Sequence, residues 1–172
     1  MRIRPISPAD LDGLRAFFTA LSPETLRLRF LLQLREVPES TLREFTMTDN
    51  RTHIAFVAEP RVATADQLPE LIAEARYVRG GESDSAEPAL VVSDSWRRVG
   101  LGTLLVRALS RHAFHAGIHR LCGDALAENT AIHRLMRSFG ARIMSHPSSN
   151  TVQICLESSS YDQAGQPRIR TS

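Results

Sequence analysis

The run Arg97-Arg98-Val99-Gly100-Leu101-Gly102-Thr103 brings together two cations, two glycines and the start of a helical pattern. Those residue types suit the holding of a phosphate ester. Glycine admits another group close to the main chain, and the first N–H groups of a helix have no internal partners. The helix dipole adds positive potential at the same place. Leu90, Val91 and Val92 precede the run as the end of a strand, and Leu101, Leu104, Leu105, Ala108, Leu109 and Ala113 follow it at helical spacing. A Walker loop is excluded, because no Gly-Lys-Ser/Thr ending is present. The dinucleotide fingerprint Gly-x-Gly-x-x-Gly fails at its third glycine, where Leu105 stands. Asp124 lies near the distance at which that fingerprint places a ribose contact, but the run comes late in the chain, behind several strand-like segments. On these residues alone, a phosphate-binding turn and an ordinary glycine-rich strand-to-helix connection both stand.

Other chemistry-bearing residues are sparse. His112, His115 and His119 include a pair at helical spacing, but no carboxylate or cysteine completes a ligand set, and they read as the solvated face and end of a helix. No metal is expected. Cys122 and Cys155 fall in strand-like runs and read as buried strand residues. They imply no disulfide framework, so a reducing cytoplasm is the expected compartment.

The surrounding elements follow from punctuation and periodicity. A short strand is expected at residues 3–5. Ser7-Pro8-Ala9-Asp10 and Ser22-Pro23-Glu24 are helix starts, with the second helix running to about Leu34. A third helical segment begins at Pro38-Glu39-Ser40. In all three, Arg27, Arg29 and Arg43 read as solvated edges. Strands are expected at 54–58 and 70–78, with an irregular connection over 60–69 and a hairpin turn at 80–85. Gly117 ends the long helix, and residues 120–126 form the next strand. Asn129 caps a shorter helix stopped by Gly140, and 141–144 with 151–156 form a closing strand pair. Residues 158–172 have almost no apolar content and are expected to be a mobile tail. This order implies an α/β (α+β) fold: a mixed, mainly antiparallel sheet flanked by helices, and one domain over 1–157.

Bulk properties agree. The chain has 172 residues, 42% of them hydrophobic and 23% charged, as in a soluble globular domain. The formal net charge of +2 is too small to argue for nucleic acid, and no nucleic-acid partner is expected. No apolar run is long enough to span a membrane, and Met1-Arg2-Ile3-Arg4-Pro5 does not begin a signal peptide. All 21 basic residues are arginine, which GC-rich codon usage accounts for.

Arg97-Arg98-Val99-Gly100-Leu101-Gly102 fills the pattern Arg/Gln-x-x-Gly-x-Gly/Ala, and with the order of elements it resembles the acyl-CoA site of the GNAT N-acetyltransferases. The segment from Asn129 through Leu135-Met136 to Phe139-Gly140 resembles the second signature of that family, at the correct separation. Leu21-Ser22-Pro23-Glu24-Thr25 with Arg29-Phe30, Ala86-Glu87-Pro88-Ala89-Leu90-Val91-Val92, and Leu126-Ala127-Glu128-Asn129 look like the acetyltransferase domain of the bacterial Pat-type protein lysine acetyltransferases.

The resemblance implies acetyl-CoA as acyl donor and direct transfer of its acetyl group to an amine. The N–H groups of Val99, Gly100, Leu101, Gly102 and Thr103, beside Arg97 and Arg98, would hold the pyrophosphate. The backbone of Leu90, Val91 and Val92 would pair with pantetheine, and Asn129 would contact the cofactor. Glu87 would be the general base, and the acceptor a protein lysine, with an acyl-CoA synthetase as a candidate target. A small amine as acceptor, or a non-catalytic acyl-CoA sensor, are the alternatives. An acetylator of lysine that itself lacks lysine cannot modify its own side chains. Two departures stand out. Met136 occupies the position of a tyrosine general acid in many members, and reads as a core methionine. Pro88 follows Glu87 where the family has an apolar or aromatic residue, restricting Glu87 to extended geometry with the potential to re-aim its carboxylate.

Overall fold

The computed structural model describes residues 1–61, 70–81, 83–145 and 149–160. The chain opens with strand β1 (Arg2–Pro5). Ser7-Pro8 starts a single 3-10 turn, Pro8–Asp10, rather than the long helix directly, and α1 follows over Leu11–Thr19. Asp10 ties the turn to β1, because its carboxylate accepts from Ser7 N at 2.7 Å and from both terminal nitrogens of Arg4 at 2.7 and 2.8 Å. Helix α2 (Pro23–Phe30) is capped by Ser22, whose side chain accepts from Thr25 N. It ends four residues before the expected Leu34, because Leu31 turns into the left-handed region at φ 63° and donates its N–H to Arg27 O. Helix α3 covers Glu39–Thr46.

Strands β2 (His53–Glu59), β3 (Ala73–Arg79) and β4 (Ser85–Val92) then form an antiparallel meander. β3 begins three residues later than its apolar pattern suggested. Helix α4 (Leu101–His115) crosses to β5 (Arg120–Leu126), and α5 (Thr130–Ser138) leads to β6 (Arg142–Ser145) and β7 (Thr151–Glu157). Gly117 and Gly140 stop the two helices at φ 77° and 79°. The sheet order is β1-β2-β3-β4-β5-β7-β6, and only the β4–β5 pair is parallel. The mixed, mainly antiparallel sheet expected from the sequence is present. Ser158–Ser160 form a 3-10 turn, and the rest of the segment expected as a tail, 161–172, lies outside the described residues. Most of the connection over 60–69 does so too.

Each sheet face buries its own core. Leu101, Leu105, Leu109 and Ala113 of α4 lie with Met136 and Phe139 of the α5 segment against Ala73, Ala75, Tyr77, Leu121 and Ile154. Leu14, Phe17, Phe18, Leu26 and Leu42 cover the other face over Ala55, Val57 and Val91. β3 is therefore buried on both sides, which is why Glu74 and Arg76, alternating with its apolar residues, are also buried.

The cysteines correct the sequence reading. Cys122 and Cys155 are partners in the β5–β7 ladder, with Cα atoms 4.1 Å apart and the sulfurs bonded to each other. Their separation of 33 residues hides this adjacency, which only strand register creates. A reducing compartment can no longer be inferred from cysteine usage. No helix is long and apolar enough to cross a membrane, among the described residues.

Candidate functional site

The site begins where β4 and β5 part. Their parallel register is limited to Ser85↔Arg120 and Ala86↔Leu121. A Cβ added to Gly123 would lie 3.1 Å from Pro88 O and 3.3 Å from Pro88 Cδ, so both the ring nitrogen's side and the carbonyl of Pro88 face β5. Proline has no N–H to give there, and the ladder ends. On its other side β4 stays paired with β3 as far as Val92. In such a ladder alternate residues direct both main-chain groups to the same neighbour. Ser93 N bonds Ile72 O at 2.9 Å, so Val91, Ala89 and Glu87 bond toward β3, while Leu90 and Val92 turn their N–H and C=O into the cleft. Of the three residues whose backbone the sequence offered, Leu90 and Val92 are placed to pair with a ligand. Val91 instead packs its side chain under the N-terminal helices.

The turn from Arg97 to Thr103 follows directly. Arg98 and Gly100 adopt φ 64° and 85°, and Gly100 is the N-cap of α4. The first bond within the helix runs from Leu104 N to Gly100 O at 3.2 Å, leaving the N–H groups of Leu101, Gly102 and Thr103 without intrahelical partners. Among the described residues other than its chain neighbours, no atom lies within 4 Å of the place a Gly100 Cβ would take, so the turn has room for a ligand to approach. Gly102 differs: its Cβ would meet Leu135 Cδ2 at 3.2 Å, and this glycine also lets α4 approach α5. Leu101 is buried in the core, and Val99 is exposed. Arg97 does not extend freely toward the turn, since its guanidinium donates to Thr25 Oγ1 and lies 3.2 Å from Asp94. Asp94 accepts from Ser22 N at 3.0 Å and Thr25 Oγ1 at 2.6 Å. Burial opposes its ionisation, but these hydrogen bonds and the Arg97 charge hold the Asp94 carboxyl below its ordinary pKa. The network bolts α2 to the turn, and Arg27, bonded to Glu128, bolts it to the start of α5.

Between α2, β4, β5 and α5 lies a cavity of about 270 Å³. Glu87, Leu90, Asn129, Met136 and Arg29 are among its walls. Glu87 is exposed at its edge, on the sheet face that also carries Glu74 and Arg76. Pro88 leaves that strand extended, so Glu87 keeps its regular place in the β3–β4 register, opposite Val78. Asn129 Oδ1 accepts from Ile132 N at 3.2 Å, so it caps α5 while lining the cavity. Met136 is a core residue, as its type suggested. The histidines do not converge: His112 Nδ1 meets Tyr77 Oη at 3.0 Å, His115 Nδ1 meets Arg111 O at 2.7 Å, and His119 Nδ1 lies 3.4 Å from Ser158 Oγ.

The sequence reading missed a buried ion cluster behind this cavity. Arg29, expected at a solvated edge, has a side chain only 9% exposed and forms an ion pair with Glu74 at 3.7 Å. Glu74 in turn accepts from Arg76 Nε at 2.6 Å. The available signal was Glu74-Ala75-Arg76, opposite charges two apart in an apolar strand, which places both on one face. An open main-chain edge, a helix start rich in free N–H groups and an exposed carboxylate suit a phosphate-bearing thioester and an amine. Leu90, Val92 and residues 99–103 fit acetyl-CoA as the group they would hold.

Residues 1–142 match the family model described as an acetyltransferase (GNAT) domain. The acetyltransferase Pat of Mycolicibacterium smegmatis is 31% identical over 140 residues, covering 81% of this chain and 40% of that protein. The chain thus spans less than half the length of this relative. The GNAT domain of S. lividans PAT superposes with a TM-score of 0.82 at 22% identity, over 91% of this chain and 89% of that one. The yncA protein of Salmonella typhimurium, solved with its cofactor acetyl-CoA, superposes with a TM-score of 0.71 at 17% identity, over 98% of each chain. At those identities the two structures speak for the fold, and the family model with the Pat match speaks for kinship: this chain belongs to the GNAT acetyltransferase family.

Proposed function

We propose that the protein transfers the acetyl group of acetyl-CoA to the side-chain amine of a protein lysine, with Glu87 as general base. The observation that carries this reading is the unpaired edge of β4 at Leu90 and Val92, beside exposed Glu87 and ahead of the helix start at Gly100. Acetyl-CoA supplies the acetyl group as a thioester. The residues of this chain do the rest. N–H groups of residues 99–103 and the charge of Arg98 bind the pyrophosphate, and the cleft-facing groups of Leu90 and Val92 align the pantetheine arm.

A lysine arrives protonated, and freeing its amine at neutral pH costs about 4–5 kcal/mol from a pKa of ~10.4. Glu87 accepts that proton, directly or through one water, and passes it to solvent; the free amine then bonds to the acyl carbon, and its second proton leaves by the same route as the C–S bond breaks and the amide keeps one N–H. The departing sulfur, with a thiol pKa of about 8.5, leaves as thiolate without a donated proton, so Met136 in the place of an acid is no obstacle. Lysine is favoured over a small amine by the local likeness to Pat-type lysine acetyltransferases at residues 21–30 and 86–92. An acyl-CoA synthetase remains the candidate target.

The test is incubation with labelled acetyl-CoA, a lysate of the host organism, and separately polyamines and aminoglycosides. Labelled protein bands are the expected result. Turnover of the free amines far above that of any protein would overturn the lysine reading.

A further inference from the structure

Behind the cavity, one carboxylate serves two buried guanidiniums. Glu74 is fully buried; its Oε1 accepts from Arg76 Nε at 2.6 Å, and its Oε2 stands 3.7 Å from Arg29, beyond hydrogen-bond length. Among the described residues, Arg29 Nε, Arg76 Nη2 and Glu74 Oε2 have no hydrogen-bond partner. The neighbours do not supply the missing acceptors. Arg29 lies 4.9 Å from the Phe30 ring centroid and 5.7 Å from that of Phe45, and Arg76 lies 3.4 Å over Phe45 with Nη1 3.1 Å from His53 Nε2. Aromatic faces attract a cation but accept no strong hydrogen bond. Arginine does not escape by losing its proton, so a buried guanidinium with idle donors calls for an anion. Burial, with repulsion from Arg76, pulls the Arg29 pKa down, which is the same deficit seen from another side.

Of the cluster, Arg29 is the member that lines the cavity. The other charged residues there, Glu87 and Asp124, are exposed. They suit an incoming ammonium, whereas Arg29, the cation among the described lining residues, suits a carboxylate. We propose that Arg29 forms an anion-binding floor of the acceptor subsite, and that the acceptor carries a carboxylate close to the amine that is acetylated. This rests on the acetyl-transfer reading of the cleft. The carboxylate belongs either to an acidic side chain beside the target lysine or to a free amino acid.

Paired acceptors separate these sources. One pair of peptides holds a single lysine flanked by glutamate or by glutamine, and the other pair is free lysine and lysine amide. Wild-type protein should show a kcat/KM about ten- to a hundred-fold higher for the carboxylate-bearing member of one pair, the span of a charge-assisted hydrogen bond. Preference within the peptide pair identifies a protein acceptor, and preference only for free lysine identifies an amino acid. Arg29→Gln should bring the ratio to near one while calorimetric acetyl-CoA affinity stays within twofold. Arg29→Lys should restore part of it. As a readout independent of turnover and of variant folding, glutarate should bind the wild-type protein saturably and compete with acceptor. Equal kcat/KM within both pairs, or failure of glutarate to bind, overturns the proposal. Equal turnover within both pairs would leave lysine acetylation standing without the anion site, whereas equal peptides with free lysine preferred over its amide would keep the anion site and remove the protein target.

Discussion

Gly100 and Gly102 sit two residues apart in the same turn, yet their geometries demand opposite outcomes on substitution. Gly100 has φ 85° with no atom within 4 Å of a new Cβ, so alanine meets backbone strain and nothing else. That strain is about 1–2 kcal/mol, which lowers Tm by roughly 2–8 °C in a chain of this size. Relief requires the turn to open, so acetyl-CoA affinity falls with stability. Gly102 has ordinary helical φ, and its new Cβ would meet only the end of a leucine side chain, Leu135 Cδ2, at 3.2 Å. Leu135 can give by a few tenths of an ångström, and alanine gains up to ~1 kcal/mol of helix propensity over glycine. Gly102→Ala should therefore leave Tm within a degree or two of wild type. Its methyl group would still occupy space that a pyrophosphate needs against the N–H groups of the first turn. Acetyl-CoA should bind at least tenfold more weakly, about 1.4 kcal/mol. Differential scanning calorimetry gives the first quantity and titration calorimetry the second. A Gly102→Ala protein of native stability with wild-type affinity would refute a pyrophosphate at this turn. The glycine would then serve helix packing alone.

Further predictions follow from the same cleft. Glu87→Gln should lower kcat at neutral pH by ~10²–10⁴-fold, recover in part at high pH where more amine is neutral, and leave acetyl-CoA affinity within twofold; a pH–rate profile unchanged from wild type would remove Glu87 from the mechanism. Pro88→Ala restores a donor facing β5, so it should raise stability by up to ~1 kcal/mol and weaken acetyl-CoA binding by closing the cleft; denaturant midpoints and calorimetry check both. Asp10 and Asp94 each ionise below their ordinary range, burial opposing the shift and hydrogen bonds from Arg4 and Ser7, or from Thr25 and Ser22, outweighing it. Their stabilisation is complete above the ordinary carboxylate value of about 4 and is lost as pH falls through the depressed native values. Urea midpoints measured from pH 6 downward should decline less steeply in Asp94→Asn than in wild type.

Much of the fold was legible because its punctuation is local. Ser22-Pro23 and Asn129 mark helix starts through their own side chains, and Gly117 and Gly140 mark helix ends through their own φ angles. The early end of α2 was not legible, since Leu31 is a residue that enters the left-handed region only when tertiary contacts hold it there. The partners of charged residues were not legible either. Arg29 sits on a short polar helix, and nothing nearby in the chain tells that Glu74 and Arg76, more than forty residues on, lie beneath it. Arg97 read as a charge for the ligand, and the structure spends it on Thr25 and Asp94. The Cys122–Cys155 bond and the parity that turns Leu90 and Val92, but not Val91, into the cleft are properties of register. Two strands must be aligned before either exists.

Pro88 shows how a residue that looks like a defect can make the site. In the sequence it is a departure beside the proposed base, a proline inside a strand that would lose a ladder bond. The register assigns that loss to one side only. With β3 the ladder is complete from Ala73↔Val92 to Arg79↔Ala86, because Pro88 belongs to a position whose main-chain groups face away from β3. The missing donor falls on the β5 side, opposite Gly123, where pairing stops after Ala86↔Leu121. Gly123 lets the two strands touch there, since any side chain would strike Pro88 O at 3.1 Å. The strands therefore meet closely, cannot bond, and part. Beyond that contact the cleft-facing polar groups of half-buried Leu90 and Val92 meet no strand among the described residues, and an edge of that kind is stable only when water or a ligand pairs with it. The cleft is thus written as a proline–glycine contact, and Glu87, the proposed base, stands one residue before it, at the exposed edge of the cavity.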